Sequence, residues 1–416
     1  MRSVERLLAG TVLIASMLSC SKSNSTGVTG TGFIWVATQG NQEVDAFHID
    51  LSNGSISAIG TNQPTGAQPS AMAITPDGKA LFIANTSDNT ISSYTVNSDG
   101  TLKAAQGTTP TLAQGPSGCT TNCMSLGLSP IGLAVDPTGA FLFVVDEGQP
   151  NNAATPGGIS VFKISGTSLS PIGPACPANF SLATCPLTLA DTVTGFSVGP
   201  LAAVAAPVGN FLYVAETFSN QVQSFSYDGS GNLQAIQAFP TGNNPSALAF
   251  SRCAGVNKAT TNCAAADANT LFVANAGSNT LSTFAACIQV SVSCSAPTGN
   301  LVEISSAVAA GTAPVAIAVD PAANLVYAIN TNSNTVSQYK YSPATGALSP
   351  MAPASLSTGA SPFGVAVTSD GTYVIVSNNN GTSMSAYSIS STTGQLSLAP
   401  TPSVTLAGQP SAILIR

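Results

Sequence analysis

Two carboxylates stand at the ends of similar apolar runs, since Asp146 closes LFVVD and Glu216 closes LYVAE. A carboxylate in such a position can act as a general base in catalysis, or it can bind a ligand through hydrogen bonds. The same position holds an uncharged polar residue in further runs: Thr38, Asn85, Asn275, Asn330 and Asn378. The sequence therefore predicts a ring of polar side chains, with Asp146 and Glu216 as candidate catalytic residues and all of the Asn, Asp and Glu positions as candidate binding residues.

These runs belong to a repeated unit. Each unit opens with Gly, a short gap, Pro and an alternating apolar segment, as in GAQPSAMAI from Gly66 and GTAPVAIAV from Gly311. A tight turn, the second apolar run, an Asn/Ser loop and a third segment such as TISSYTV follow, and a Gly-containing turn leads to a fourth. Alternation over such short segments is typical of strands, and an antiparallel unit of four strands is a propeller blade.

The opening prolines number seven: Pro69, Pro130, Pro200, Pro245, Pro314, Pro362 and Pro410. Only a short strand follows the last proline, whereas the segment from Phe33 to Gly60 supplies strands that lack an opening strand. The C-terminal strand should therefore complete a blade begun by the N-terminus, which leaves no free sheet edge. The prediction is an all-β, seven-bladed propeller over residues 33–416, with blades numbered from Pro69.

The phrase VANAGSNTLSTF, from Val273, resembles the YVTN-type β-propeller repeat. The whole unit is similar to the lactonase-like seven-bladed propellers, which include bacterial 6-phosphogluconolactonase. This resemblance implies that an active enzyme carries arginine and histidine in a G-P-R-H phrase that opens a first strand. The matching residues here are Gly199, Pro200, Leu201 and Ala202, and neither Leu nor Ala can polarise a carbonyl or relay a proton.

Two functions follow as hypotheses. The first is a binding or scaffold propeller that contacts a protein, carbohydrate or small molecule over blades 2 and 3. The alternative is a lactone hydrolase in which Asp146 or Glu216 is the general base. The Asn positions have a structural interpretation as well, because Asn side chains stabilise loops. His48, the only histidine, is expected to be structural, and the single tryptophan, Trp35, disfavours a quinoprotein dehydrogenase.

Long connections concentrate near blades 2 and 3 and should rise over the end where the first strands begin. One joins blade 1 to blade 2, another joins blade 2 to blade 3, and blade 2 has the extended loop DEGQPNNAATPGG. Glu147, Asn151 and Asn152 of this loop, with Asp146, offer oxygens to Ca²⁺ but lack a recognisable loop motif. A solvated loop is expected there, with no metal and no cofactor.

Eight cysteines form close pairs in the sequence: Cys119 with Cys123, Cys176 with Cys185, Cys253 with Cys263, and Cys287 with Cys294. Their spacing and the absence of nearby histidines favour disulfides over a metal site. Disulfides indicate an exported protein.

The N-terminus supports export. An apolar run from Leu7 to Leu18 follows two arginines, and it is too short to span a bilayer comfortably. It ends in a lipobox-like MLSC, so residues 1–20 are predicted to be a signal peptide with lipidation at Cys20. Cleavage by an ordinary signal peptidase is the alternative. Residues 21–32 would then form a flexible tether to the outer membrane, with the protein in the periplasm or at the cell surface.

The amino-acid composition limits the classes of partner that the protein can bind. Only 6% of the residues are charged, and ten basic residues against 17 acidic ones give a net charge of −7. Such a chain lacks the basic patch that a phosphate backbone requires, so nucleic acid is excluded as a partner. We expect a monomer that contacts the membrane only through its lipid anchor.

Overall fold

A computed structural model describes residues 30–105, 129–147, 157–172, 199–251, 269–288, 297–320 and 323–416. All regular structure in these ranges is β-strand, arranged in seven sheets. Within them no helix is long and apolar enough to cross a membrane. The predicted all-β propeller of seven antiparallel blades is therefore confirmed.

The strands follow one another as the repeat predicts. The chain opens with strands of blade 7: β1 (Thr31–Thr38), β2 (Glu43–Asp50), β3 (Ile56–Ala58) and β4 (Gln63–Pro64). Blade 1 contains β5 (Pro69–Ile74), β6 (Ala80–Asn85), β7 (Thr90–Val96) and β8 (Leu102–Ala104). Blade 2 contains β9 (Pro130–Val135), β10 (Phe141–Asp146), β11 (Gly158–Ser165) and β12 (Ser168–Ile172). Blade 3 contains β13 (Pro200–Ala205), β14 (Phe211–Glu216), β15 (Gln221–Tyr227) and β16 (Leu233–Pro240).

The later blades have longer outer strands. Blade 4 contains β17 (Pro245–Phe250), β18 (Thr270–Asn275), β19 (Thr280–Ala286) and β20 (Leu301–Ala309). Blade 5 contains β21 (Pro314–Val319), β22 (Leu325–Asn330), β23 (Thr335–Tyr341) and β24 (Leu348–Ser357). Blade 6 contains β25 (Pro362–Val367), β26 (Tyr373–Asn378), β27 (Ser383–Ile389) and β28 (Leu396–Thr405), and β29 (Pro410–Ile415) completes blade 7.

The core lies between neighbouring blades. In β5, Met72 and Ile74 pack with Trp35 of blade 7, whereas Ala71 and Ala73 pack with Leu133 of blade 2. Both faces of an inner strand are thus buried. This burial explains why the inner runs are apolar at almost every position.

Blade 7 closes the ring as predicted. Strand β1 pairs antiparallel with β29, with Ile34 opposite Ile415. Two backbone hydrogen bonds join Phe33 and Arg416, at 2.8 and 2.9 Å. The first β-strand begins at Thr31, so the folded part starts slightly before the predicted boundary at Phe33 and includes the end of the predicted tether.

The repeated Asn/Ser phrase joins each blade to the next. In four blades, an asparagine with φ between +52° and +58° precedes the third strand. Its Oδ1 accepts a hydrogen bond, 2.7 or 2.8 Å long, from the backbone N–H that precedes the opening proline of the following blade. The pairs are Asn89 with Ser129, Asn220 with Asn244, Asn279 with Ala313, and Asn334 with Ser361. The phrase therefore encodes contacts between blades, and asparagine suits it because this residue tolerates a left-handed backbone.

Candidate functional site

We call the end of the propeller where first strands begin and second strands end the mouth. At the mouth, the opening proline pairs with the last residue of the second strand, as Pro69 does with Asn85 and Pro130 with Asp146. Each position of the predicted polar ring lies at this end. Yet all of these side chains are buried, with exposed fractions of 0% for Thr38 and the Asn residues, 2% for Asp146 and 3% for Glu216.

Four blades, which we call the regular blades, share one arrangement of these side chains. They are blades 1, 4, 5 and 6. The amide nitrogen of the ring asparagine donates to two hydroxyls of the third strand, over 2.9–3.2 Å. The sets are Asn85 with Thr90 and Ser92, Asn275 with Thr280 and Ser282, Asn330 with Thr335 and Ser337, and Asn378 with Ser383 and Ser385.

A glycine completes each regular arrangement. A Cβ added at Gly66, Gly242, Gly311 or Gly359 would lie only 2.5–2.8 Å from Cγ of the ring asparagine. In blade 5, the backbone N–H of Gly311 also donates to Asn330 Oδ1 at 3.1 Å. All four asparagines therefore link the second strand to the third, and Asn330 also bonds the entry to the first strand. In the other regular blades, Oδ1 of Asn85, Asn275 and Asn378 has no hydrogen-bond partner among the described residues. The prediction that they bind ligand stays a prediction.

Blades 2, 3 and 7, the variant blades, depart from this arrangement. In blade 2, Asp146 Oδ2 accepts a hydrogen bond from Ser160 at 2.7 Å, and Gly158 replaces the hydroxyl residue of the regular blades. Asp146 Oδ1 has no hydrogen-bond partner among the described residues. Burial raises the pKa of Asp146 to about 8, with the Ser160 hydrogen bond opposing this shift. At neutral pH the side chain is thus mostly in its protonated, uncharged form.

Blade 3 has a longer acid at the ring position. Glu216 Oε2 accepts hydrogen bonds from the Ser219 hydroxyl at 3.0 Å and from the Gln221 amide. Both donors belong to the same blade as Glu216. The carboxylate is therefore held within the loop that it closes.

Blade 7 has different residues at the ring position and at the third-strand position that bonds to it in the regular blades. Thr38 takes the place of the ring asparagine, and Asp45 takes the place of the serine on the third strand. Burial, with a smaller contribution from Glu43, raises the pKa of Asp45 to about 6. Blades 2 and 7 thus each bury one carboxyl group whose pKa is raised mainly by desolvation.

The opening strands carry no catalytic set of the family's type. Leu201 and Ala202, at the positions implied by G-P-R-H, are 6% and 0% exposed. Serine hydroxyls at the second position of other first strands bind backbone carbonyls of adjacent strands, as Ser246 does with Pro314 at 2.7 Å. His48 lies in β2, half-buried, with its ring centroid 6.4 Å from that of Phe33. Among the described residues, no group of His, Cys, Asp and Glu could hold a metal ion.

Charge is divided between the two ends of the propeller. The described basic residues all lie at the end opposite the mouth: Lys79, Lys103, Lys163, Lys340 and Arg416. The described mouth loops consist of Asn, Gln, Ser, Thr, Gly, Ala and a few other residues, and their charged side chains are all acidic. The sequences of 106–128, 148–156 and 173–198 contain no Lys, Arg or His. A phosphorylated ligand would therefore find little to neutralise it at the mouth.

One mouth residue was missed by the sequence analysis. Phe218, in the loop after β14, is 58% exposed. The equivalent residues of the regular blades are Ser87, Gly277, Asn332 and Asn380. An aromatic residue among small and polar ones was the available signal.

Several predictions lie outside the described residues. These are the signal peptide with Cys20, and the insertions near blades 2 and 3 with Asn151 and Asn152. They stay predictions.

The predicted disulfides also fall largely outside the described residues. Cys287 is described, and its side chain is buried. The other paired cysteines are not described: Cys119, Cys123, Cys176, Cys185, Cys253, Cys263 and Cys294. The structure therefore does not test the pairing of Cys119 with Cys123, of Cys176 with Cys185 or of Cys253 with Cys263. The pairing of Cys287 with Cys294 stays a prediction too, because Cys294 lies outside the described residues.

Comparisons with known proteins agree with this fold. The family model for the seven-bladed lactonase β-propeller matches residues 28–149 and 190–360. The periplasmic gluconolactonase of Pseudomonas aeruginosa superposes with a TM-score of 0.68 at 19% identity, covering 92% of this chain and 99% of that protein. A candidate 6-phosphogluconolactonase of Bacteroides uniformis gives 0.69 at 16% identity, covering 93% and 100%. No curated protein matches the chain. Because the family model covers more than half of the sequence, this protein belongs to the lactonase family of seven-bladed β-propellers.

Proposed function

We propose that this protein is a binding module and not a lactone hydrolase, and that its ligand contacts the mouth over blades 2 and 3. The observation that carries this proposal is the burial of Leu201 and Ala202 at the positions where the family resemblance implies arginine and histidine. Apolar side chains there cannot stabilise the charge that develops on a lactone oxygen. Blades 2 and 3 are adjacent, and they are where both carboxyl groups at the ring position and the exposed Phe218 occur.

A lactone hydrolase that uses Asp146 is the second candidate. The observation in its favour is the pKa of about 8, because perturbed carboxyl groups often take part in catalysis. Against it, a carboxyl group with this pKa is mostly protonated at neutral pH, so only a minor fraction of the molecules would carry the ionised base. Asp146 and Glu216 are also almost fully buried and hydrogen-bonded within their own blades.

A lactone panel separates the two functions. We would measure hydrolysis of D-glucono-1,5-lactone, its 6-phosphate and an aliphatic γ-lactone by proton release, with the full chain and with Glu216→Gln and Asp146→Asn. We expect no acceleration over the buffer rate for any of the three proteins. Turnover by the wild type that Glu216→Gln or Asp146→Asn abolishes, while the melting temperature is kept, would replace the binding proposal with the hydrolase.

Export forms a separate part of the proposal. We propose that residues 1–20 are removed, that Cys20 is lipidated and that the paired cysteines form disulfides. The support is the apolar run before Cys20 and the cysteine spacing. Mass spectrometry of the mature N-terminus and non-reducing peptide mapping test these points. An intact N-terminal Met with free thiols would contradict all of them.

A further inference from the structure

We propose that the loop 217–220 of blade 3 is a subsite for a neutral, hydroxyl-rich ring such as a pyranose, which stacks on Phe218. This inference rests on the proposed binding function and assigns its ligand class. It begins with the exposure of Phe218, because large aromatic side chains are usually buried and an exposed one at a recognition surface offers an apolar contact. The two other exposed large hydrophobics of the described chain, Val302 and Leu398, lie on outer strands away from the mouth.

Phe218 is held in place by a second departure in the same blade. The residue before the opening proline has φ between +49° and +63° in six blades, and only blade 3 uses glycine, at Gly199. A Cβ at position 199 would overlap Cδ2 and Cε2 of Phe218. The aromatic ring therefore occupies the space of the missing side chain. Gly199 and Phe218 form one feature, which no other described blade has.

The loop beneath the ring is rigidly attached. The Thr217 hydroxyl donates to the carbonyl oxygen of Pro245 at 2.8 Å, which links blade 3 to blade 4. Asn220 Oδ1 accepts from the backbone N–H of Asn244 at 2.7 Å, and Ser219 binds Glu216 at 3.0 Å. A ring on such a loop loses little conformational entropy when a ligand binds to it.

The surroundings of Phe218 suit hydroxyl groups better than charges. Exposed Asn243 and Asn244 stand on the loop that Asn220 joins, and amides both donate and accept hydrogen bonds, as a sugar hydroxyl does. No described basic residue lies at this end of the propeller, which disfavours a sugar phosphate. Two acidic rim residues have local partners: Asp88 accepts from the Ala67 N–H, and Glu43 accepts from Asn62 at 3.1 Å. The chemistry of the mouth therefore points to a neutral ligand.

The test uses the full chain and defined sugars. Maltotetraose, cellotetraose and chitotetraose are titrated by calorimetry and by saturation-transfer NMR, with glucose 6-phosphate as the anionic comparison. We expect at least one neutral oligosaccharide to bind the wild type more tightly than glucose 6-phosphate. Phe218→Ala should weaken this binding at least tenfold, and Phe218→Trp should retain it.

Two further variants test whether binding depends on the position of the Phe218 ring or on any exposed apolar side chain. Gly199→Ala keeps the aromatic side chain but displaces its ring, so we expect binding to weaken, whereas Leu398→Ala removes an equally exposed apolar side chain and should change nothing. The melting temperature of each variant is measured beside its affinity. The inference is overturned if no neutral oligosaccharide binds the wild type, if Phe218→Ala binds as the wild type does, or if glucose 6-phosphate binds more tightly. Those results leave the binding proposal in place as long as the lactone panel shows no turnover.

Discussion

The regular and variant blades solve one packing problem with different side chains. In blades 1, 4, 5 and 6, an uncharged amide fills the position at the end of the second strand and donates to two hydroxyls. In blade 2, Asp146 fills the same position with one hydrogen bond and remains protonated at neutral pH because it is buried. In blade 2 this buried position therefore holds an uncharged polar group, as it does in the regular blades, and Asp146 does so by keeping its proton.

This difference distinguishes polar residues with a structural role from those that we propose to lie near a ligand. An amide that bonds within its own blade in four independent copies is a structural element, although it lies next to the mouth. Blade 3 differs from the regular blades at the ring position, which holds Glu216, and in the loop that follows, which holds Phe218. We place the ligand contacts where the departures coincide.

The largest effect is expected at blade 7, the blade assembled from both ends of the chain. Deletion of residues 410–416 removes β29 and leaves β1 with an unpaired inner edge. It also removes the packing of Leu414 against Trp35. We expect the cooperative unfolding transition to be lost. Thermal denaturation monitored by circular dichroism, together with limited proteolysis, measures this loss. A melting temperature equal to that of the full chain would contradict the closed ring.

The regular arrangement is tested by Asn330→Ala. The substitution removes donors to Thr335 and Ser337 and leaves the Gly311 N–H without its acceptor. Because buried polar groups lose their partners, we expect a loss of about 2–4 kcal/mol in the free energy of unfolding. Chemical denaturation measures it. Asn332→Ala, in the same loop but exposed, is the control and should have an effect below about 0.5 kcal/mol.

The variant arrangement is tested by Asp146→Asn. The folded protein binds the Asp146 proton more tightly than the unfolded chain, because burial raises the pKa from 3.8 to about 8. The stability contribution of this group is fully present below the unfolded pKa and is lost as the pH rises toward 8. Because Asn does not ionise, Asp146→Asn should abolish this loss of stability at high pH. It should stabilise the protein by about 1–3 kcal/mol at pH 8, with little effect at pH 4.

The reverse exchange is the matched control. Asn85→Asp places a carboxyl group at the buried position of a regular blade, so its destabilisation should grow with pH. Denaturation series between pH 4 and 9 measure both variants. If the two variants showed parallel pH profiles, the equivalence of the positions would be wrong.

The smallest expected effect concerns the end opposite the mouth. Arg416 donates to the carbonyl oxygens of Gly78 at 2.9 Å and Asp77 at 3.0 Å, which ties blade 7 to the first turn of blade 1. Since these bonds are partly exposed, Arg416→Ala should cost about 0.5–1 kcal/mol. Lys340→Ala, an exposed cation in an uninterrupted blade, should change the free energy of unfolding by less. Equal effects would remove any special role of the terminal arginine in closure.

Most of the fold could be predicted from the sequence. Every opening proline begins a strand, and every second run ends at the predicted polar residue, because strand periodicity and turn chemistry act within a few residues. Closure by the termini followed from counting incomplete blades. The family resemblance indicated the same architecture and the loss of its arginine and histidine.

The site was less predictable. The sequence placed Asn85, Asp146, Glu216 and their equivalents at the mouth, but it did not show that these side chains turn into the blade. Inside the blade they bond to hydroxyls of the third strand, as Asn85 does with Ser92 and Asp146 with Ser160. Phe218 was overlooked because one aromatic residue in a loop has no periodicity.

By itself, the sequence determined the number of blades, the strand boundaries and the shortage of cations, since these depend on local pattern and composition. Only the tertiary structure decided which polar groups are buried and which are exposed. Burial depends on residues that are distant in the chain, both between neighbouring blades, where Asn89 meets Ser129, and within one blade, where Phe218 meets Gly199. The packing that withdraws water from Asp146 raises its pKa, whereas Phe218, in the next blade, is exposed.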